Sequence, residues 1–157
     1  MINVKVKLVK GGIMPTKAHD EDAAWDCYAK LDVYVGRYPT LVDLGFCLEL
    51  PKGYHAEIVP RSSTGLNTDL RQPNSVGIID SNYRGEVKAI YEAKMTLKAK
   101  STSTEDGVFI GAQTVKIHRG DRIAQMLIVK DPEVRLVEVD ELSDSDRGIG
   151  GFGSTGV

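Results

Sequence analysis

Cysteine, long apolar runs and targeting signals are scarce or missing in this chain of 157 residues. Its two cysteines, Cys27 and Cys47, have neither metal-binding nor redox spacing, so we interpret them as small buried side chains in a reducing compartment. No stretch approaches the roughly 18 apolar residues of a membrane span. The first eight residues alternate between apolar and polar types, unlike a signal peptide. We therefore expect a cytoplasmic protein with no membrane partner.

A strong charge imbalance is also missing. The net charge is −2 at pH 7, and the isoelectric point is about 5.9. Nucleic-acid-binding surfaces usually need a basic balance, so a nucleic-acid partner is not expected. The three histidines have no spacing suited to zinc on a helix face.

Helical periodicity is rare, whereas short β-branched or alternating runs are frequent. This pattern predicts an all-β fold, a jelly-roll-like sandwich or barrel, with one short helix near residues 62–70 that Ser62, Ser63 or Thr64 could cap. The predicted β domain covers 1–140, with an extended hairpin or loop at about 93–110, and 141–157 form a mobile arm. The predicted strands are 2–8, 31–35, 41–50, 54–59, 76–80, 86–91, 108–117, 123–129 and 134–139.

Glycine is what the chain does have, and it is concentrated at the end. Five of the 16 glycines lie in the last ten residues, a composition typical of a flexible tail. Arg147, Phe152, Ser154 and Thr155 lie among them. Consecutive glycine N–H groups can surround an anion, an arginine can bind two phosphate oxygens, and an exposed ring can stack on a base. The tail is therefore either a linker or a nucleotide-binding arm.

Four other segments each allow a functional and a structural interpretation. Arg61 and the hydroxyls after it fit a phosphate site or a capped turn. Asp80 ends an apolar run and is either a general base or the start of a turn. Gln125, among apolar neighbours, has either a dedicated partner or an exposed position. Asp26 either orients a hydrated metal or forms an ion pair.

Together these segments resemble the five ordered motifs of trimeric dUTP diphosphatases (dUTPases). The resemblance runs from Ala23 to Gly156 and is most specific in Ile79-Asp80-Ser81-Asn82-Tyr83-Arg84-Gly85, in Gly120-Asp121-Arg122-Ile123-Ala124-Gln125 and in Arg147–Gly156. It implies a β jelly roll that forms a homotrimer with shared active sites. It also implies hydrolysis of dUTP to dUMP and pyrophosphate with Mg²⁺, held mainly by substrate phosphates and waters without a direct protein ligand.

The resemblance also assigns roles to residues. Asp80 would activate the water that attacks the α-phosphorus, Tyr83 would pack on the deoxyribose and reject a 2′-OH, and Asp26 would be structural. Uracil would be read by Asn74 and the backbone at Gly77 and Ile78, and covered by Phe152. The phosphates would be held by Arg61, Ser62, Ser63, Gly65, Gln125, Arg147, Gly153, Ser154 and Thr155.

Some features depart from the family pattern. Trp25 and Cys27 replace smaller or aliphatic residues. The longer Arg61–Leu66 segment leaves the choice between Ser62 and Ser63 open, with Ser62 favoured. The extra length at 93–110 is a candidate site for a protein partner, which would make the nucleotide site a regulatory switch. The alternative enzyme, a dCTP deaminase, would need a glutamate where Ile90 stands.

Overall fold

The computed structural model describes residues 1–94 and 114–151. Most of the predicted 93–110 extension, and Phe152, Gly153, Ser154 and Thr155, lie outside the described residues. The described part contains eleven strands and one helix: β1 (Lys5–Leu8), β2 (Trp25–Tyr28), β3 (Val33–Val35), β4 (Thr40–Asp43), β5 (Phe46–Glu49), β6 (Tyr54–Pro60), α1 (Ser62–Asn67), β7 (Leu70–Arg71), β8 (Gly77–Ile79), β9 (Lys88–Ala93), β10 (Val115–Ile117) and β11 (Arg122–Lys130).

All of the strand pairs are antiparallel. The largest sheet has the order β2-β11-β6-β8, a second has the order β4-β9-β7, and two ribbons pair β1 with β5 and β3 with β10. Apolar side chains from both sheets and both ribbons pack into one core, which includes Ile58, Met126, Phe46, Val42 and Tyr91. The prediction of a jelly-roll-like all-β fold is confirmed, and the described strands do not close into a barrel. No described helix is both long and apolar enough to span a membrane.

A β-bulge in β11 shapes the side of the large sheet that carries the site. Arg122 pairs with Tyr28 whereas Ala124 pairs with Cys27, so β11 holds one extra residue, Ile123, at this point. The carbonyl of Ile123 accepts a hydrogen bond from the buried Tyr91 hydroxyl at 2.7 Å and one from Thr64 at 3.5 Å. Burial raises the pKa of the Tyr91 phenol, which keeps it a donor. The core therefore satisfies the backbone group that the bulge leaves unpaired.

Several details of the predicted secondary structure are wrong. Neither β2, which carries Asp26, nor the two-residue β7 was among the predicted strands. Residues 134–139 form no strand, and their side chains are exposed, because they find no partner strand in the described part of the chain. The run at 41–50 splits into β4 and β5 at Gly45, whose φ of +80° breaks the extended backbone. The cap of α1 is Arg61, without a side-chain bond, because Ser62, Ser63 and Thr64 lie inside the first turn.

Candidate active site

Asp26 is the centre of a polar cluster on the large sheet. It lies on β2 directly opposite Gln125 on β11, and β11 pairs on its other side with β6, which ends just before Arg61. The Asp26 carboxylate accepts hydrogen bonds from Arg61 Nε at 3.0 Å, Arg122 Nη1 at 3.2 Å and Gln125 Nε2 at 3.3 Å. Asp26 is only 7% exposed. Three segments that are far apart in sequence therefore meet at one buried carboxylate.

Arg122 is the member of this cluster that the sequence did not single out. Strand alternation places residues 122 and 125 on opposite faces of β11. The bulge at Ile123 reverses that alternation and brings both side chains to the face that carries Asp26. The position of Arg122 between Asp121 and Gln125 in the motif was the one available signal.

Arg61 connects the cluster to the start of α1. Its Nη1 donates to Ser63 Oγ at 3.1 Å and to the Arg122 carbonyl at 3.4 Å. Ser62 and Gly65 are exposed, and the Ser62 hydroxyl has no hydrogen bond within the part of the chain that the structure describes. Ser63 therefore supports the arginine, while Ser62 is open to solvent. The Arg61 guanidinium and the exposed Ser62 are thus neighbours in the chain, and donors of these two kinds suit phosphate oxygens.

The turn that leads into β8, and β8 itself, contain the residues predicted to read uracil. Gly77 and Ile78 lie on β8, which pairs only with β6 among the described strands and so has a free backbone edge. Asn74 is exposed and donates through Nδ2 to the Val76 carbonyl at 3.3 Å. Ser75 adopts a left-handed conformation with φ of +60°. The edge of β8 that no described strand pairs is the kind of backbone edge on which a planar hydrogen-bonding ligand can bind.

Gln72 fixes that turn, and the sequence did not identify it as a site residue. Its Nε2 donates to the Ile58 carbonyl at 2.9 Å and to the Ser75 carbonyl at 3.2 Å, which ties the strained turn to β6. Its Oε1 is buried without a partner among the described residues. A glutamine before Pro73-Asn74 gave no pattern that would have identified it.

Asp80 directly follows β8 and is exposed, at the strand end where the sequence predicted it. The Tyr83 N–H donates to the Asp80 carbonyl at 3.0 Å, which closes a turn, and the Tyr83 side chain is 43% exposed. The carboxylate and the phenol ring therefore lie on one short loop that is open to a ligand.

The Asp26 cluster and the loop that carries Asp80 and Tyr83 lie far apart within one chain. Ile79, next to Asp80, pairs with Ala56 on β6, whereas Arg61 follows the other end of that strand. Five residues of β6 separate these levels, about 17 Å at 3.4 Å per residue. Asp80 and Arg61 of the same chain therefore cannot reach the same phosphate.

Arg147 lies in the exposed segment beyond β11. Its Nε donates to the Gly150 carbonyl at 2.8 Å, and the Gly148 N–H donates to the carbonyl and hydroxyl oxygens of Ser145. These contacts are local, so the described structure does not bring Arg147 to the Asp26 cluster or to the loop that carries Asp80.

The donor set around Asp26 does not resemble a metal site. Both of its carboxylate oxygens already accept bonds from cationic or amide groups. No group of three or more histidine, cysteine or acidic side chains is placed to hold a metal ion within residues 1–94 and 114–151.

Comparison with known proteins gives one consistent result. The family model for dUTPase matches residues 10–100 and 108–156. A deoxyuridine 5′-triphosphate nucleotidohydrolase of Clostridioides difficile is 37% identical over 99% of both chains. One of Thermobifida fusca is 41% identical over 91% of this chain and 72% of its own. Among solved structures, the Staphylococcus bacteriophage 80alpha dUTPase G164S mutant with dUpNHpp is similar with a TM-score of 0.84 at 26% identity, and the similarity covers 100% of both chains.

Proposed function

This chain belongs to the dUTPase family, and on that premise we propose that it hydrolyses dUTP to dUMP and pyrophosphate by the attack of water on the α-phosphorus. The observation that carries the proposal is the Asp26 cluster, which gathers Arg61, Arg122 and Gln125 at one open surface. Hydrolysis of dUTP lowers the dUTP concentration and supplies dUMP for thymidylate synthesis.

The arginines and hydroxyls of the Asp26 cluster bind the phosphate chain. Asp26 holds the Arg61 guanidinium in a fixed orientation through Nε, and Ser63 holds it through Nη1. A fixed planar donor loses little conformational entropy when it binds phosphate oxygens. Ser62 and Gly65 add a free hydroxyl and an open backbone beside it. Phosphoryl transfer depends mainly on positioning and charge stabilisation, which these groups supply.

Asp80 is the proposed general base. Its exposed carboxylate accepts a proton from the attacking water, and a positioned base of this kind contributes about 10²–10⁴-fold to the rate. Tyr83, on the same loop, packs on the deoxyribose, and the free edge of β8 reads the uracil ring. A donor aimed at a uracil carbonyl would be left unpaired by the amino group of cytosine, so cytosine is rejected.

Separate chains complete each site in this proposal. Because about 17 Å of β6 separates the level of Ile79, next to Asp80, from Arg61, the base of one chain acts on phosphates held by a neighbour. Residues beyond β11 expose large apolar side chains, which suits contact with another chain. These are Val134, Leu136, Val137, Val139 and Leu142. A homotrimer whose arms 141–157 bring Arg147, Phe152, Gly153, Ser154 and Thr155 to the neighbouring sites satisfies both observations.

Magnesium is the proposed cofactor, as it is generally in this family. Asp26 has no free oxygen for it, and Mg²⁺ usually keeps several waters and binds through substrate phosphates. We therefore expect the nucleotide to carry the ion, which neutralises phosphate charge. Arg61 and Ser62 bind oxygens that the ion leaves free.

Two further parts of the proposal are the location of the protein in the cell and a protein partner. A cytoplasmic location is part of the proposal, and two thiols that form no disulfide are compatible with it. Cys27 is buried as predicted, whereas Cys47 is only partly buried. The extension at 93–110 remains a predicted binding segment for a protein partner.

Pyrophosphate release from dUTP, dCTP, dTTP and UTP, with and without Mg²⁺, tests the proposed function. We expect turnover of dUTP alone and only with the metal. Asp80→Asn should bind dUTP as the wild type does and turn over at least about a hundredfold more slowly. Asp20→Asn, an exposed carboxylate outside the site, is the matched control. Release from dCTP but not dUTP would refute the function, and normal turnover by Asp80→Asn would refute the assigned base.

A further inference from the structure

Tyr83 is held by the backbone of its own loop. Its hydroxyl donates to the Glu86 carbonyl at 3.2 Å, and its N–H donates to the Asp80 carbonyl. The ring lies partly exposed, with the Asp80 turn on one side and Glu86 on the other. The direction of the ring therefore depends on where the carbonyl of residue 86 lies.

Gly85 gives the ring its space. A Cβ atom at residue 85 would lie 2.5 Å from Tyr83 Cζ and 3.0 Å from Cε2, and closer still to the hydroxyl oxygen. Real Cβ atoms do not approach other atoms this closely. Gly85 is not one of the glycines with positive φ, so its backbone would accept an alanine. The three atoms nearest to such a Cβ all belong to the far end of the Tyr83 side chain.

The side chain of Glu86 anchors this loop to the body of the fold. Its carboxylate accepts from Lys30 Nζ at 2.7 Å and from the Gly45 N–H at 3.1 Å. The Lys30 side chain is only 12% exposed and also contacts Asp43 at 3.2 Å. The bond to Glu86, and then the contact with Asp43, raise the pKa of the Lys30 ammonium, which keeps it charged. Gly45 cannot move freely, because it packs directly on the backbone of Gly12.

We propose that Gly85 and Glu86 are positioning residues for the Tyr83 ring, and that Lys30 acts through Glu86. This proposal rests on the proposed role of Tyr83 at the sugar. Lys30 thereby helps to set the preference for a deoxyribonucleotide over a ribonucleotide. A rejecting group must sit where the 2′-OH would lie, and a displacement of about 1 Å in such a group can change rates by about 100-fold. None of these three residues touches the substrate in this proposal.

The preference for the deoxyribonucleotide is the readout that a merely structural ion pair would not change. It is the ratio of kcat/KM for dUTP to kcat/KM for UTP. Gly85→Ala should lower this ratio about tenfold or more, with the KM for dUTP raised and kcat changed much less. Lys30→Met should lower it in the same direction, because Glu86 loses its cationic partner and its carbonyl shifts. The melting temperature of Gly85→Ala should match that of the wild type.

Matched control variants separate the effect of moving the Tyr83 ring from the nonspecific effects of a substitution. Gly36→Ala adds a methyl group that has no atom within 4 Å among the described residues beyond its chain neighbours, and Lys5→Met removes an exposed ion pair with Glu49. Both should keep the wild-type ratio. A ratio unchanged in Gly85→Ala would overturn the proposal, and so would an equal loss in Gly36→Ala. If Lys30→Met does not fold, Gly85→Ala decides the role of the loop. Glu86→Ala then decides the role of Glu86, because it removes the acceptor of the Lys30 and Gly45 donors and should lower the ratio, whereas an unchanged ratio would overturn that role.

Tyr83→Ala distinguishes failure of this inference from failure of the proposed function. If wild-type protein hydrolyses dUTP and Tyr83→Ala loses the preference while Gly85→Ala keeps it, the enzyme assignment holds and the positioning role is wrong. If wild-type protein does not hydrolyse dUTP, the function itself is wrong.

Discussion

At the scale of single residues, Asp26 explains how separate short motifs can form one functional surface. A carboxylate this deeply buried needs donors for its oxygens, and here they come from Arg61, Arg122 and Gln125. The same bonds that satisfy the carboxylate fix three side chains that would otherwise be mobile. One buried acid thus links the stability of the sheet to the shape of the site.

Removing this acid should therefore harm both properties. Asp26→Ala leaves two partly exposed guanidinium groups without their counter-charge, and losing hydrogen bonds to a charged group costs about 2 kcal/mol. We expect that loss in the free energy of unfolding, measured by urea denaturation, and a raised KM for dUTP. Asp20→Ala, which removes an exposed carboxylate, should change neither quantity. An unchanged unfolding free energy in Asp26→Ala would contradict the central role of this residue.

At the scale of elements, the beginning of β6 lies beside the end of β11, where the chain leaves the sheet. His55 on β6 contacts Asp131, the first residue after β11, at 2.5 Å and Glu57 at 3.4 Å. The Asp131 N–H donates to the Gly53 carbonyl at 2.8 Å. The bond to Asp131, and then that to Glu57, raise the pKa of His55 above its ordinary value of 6.5. Protonated His55 thus helps to fix the point from which the C-terminal segment departs.

The stabilisation by His55 should depend on pH. A group whose pKa is raised in the folded state contributes its full stability below the unfolded value, near 6.5, and loses it as the pH rises through the folded value. The melting temperature of the wild type should exceed that of His55→Gln most at about pH 5.5, and the difference should shrink by pH 8.5. His19→Gln, at an exposed position, serves as the control. A difference that stays constant with pH would rule out this protonation effect.

Elements with regular alternation were predictable, and interruptions of it were not. The predicted strands 54–59 and 123–129 correspond to β6 and β11 within one residue at each end. The bulge at Ile123 could not be predicted from the alternation of apolar and polar residues. A pattern with a period of two residues does not indicate where a strand holds one extra residue. Arg122 was therefore missed, whereas Asp26, Arg61 and Gln125 were found from their residue types. The roles given to all of these residues remain predictions.

At the scale of the whole molecule, one chain contains both the proposed base, Asp80, and the proposed phosphate-binding residue Arg61, but the two lie far apart. The sheet places Asp80 and Arg61 at opposite ends of β6, and strand pairing alone determines that separation. No sequence motif reports such a distance, since the motifs give order along the chain and not position across a sheet. The exposed apolar residues after β11 would be unfavourable in an isolated chain. Both features favour an assembly as the functional unit.

Mixed assemblies provide the test of shared sites. Asp80→Asn chains lack the base, and chains ending at residue 146 lack the arm, so each alone should be nearly inactive. Co-expressed with different tags and purified through both, they should regain turnover, because a site can take its base from one chain and its arm from another. In a trimer that holds both kinds of chain, one of the three sites is complete, so purification through both tags leaves about a third of the sites complete. Mixing Asp80→Asn with full-length Asp20→Asn controls for dilution. Mixed oligomers without regained turnover would show that each site takes its base and its arm from the same chain.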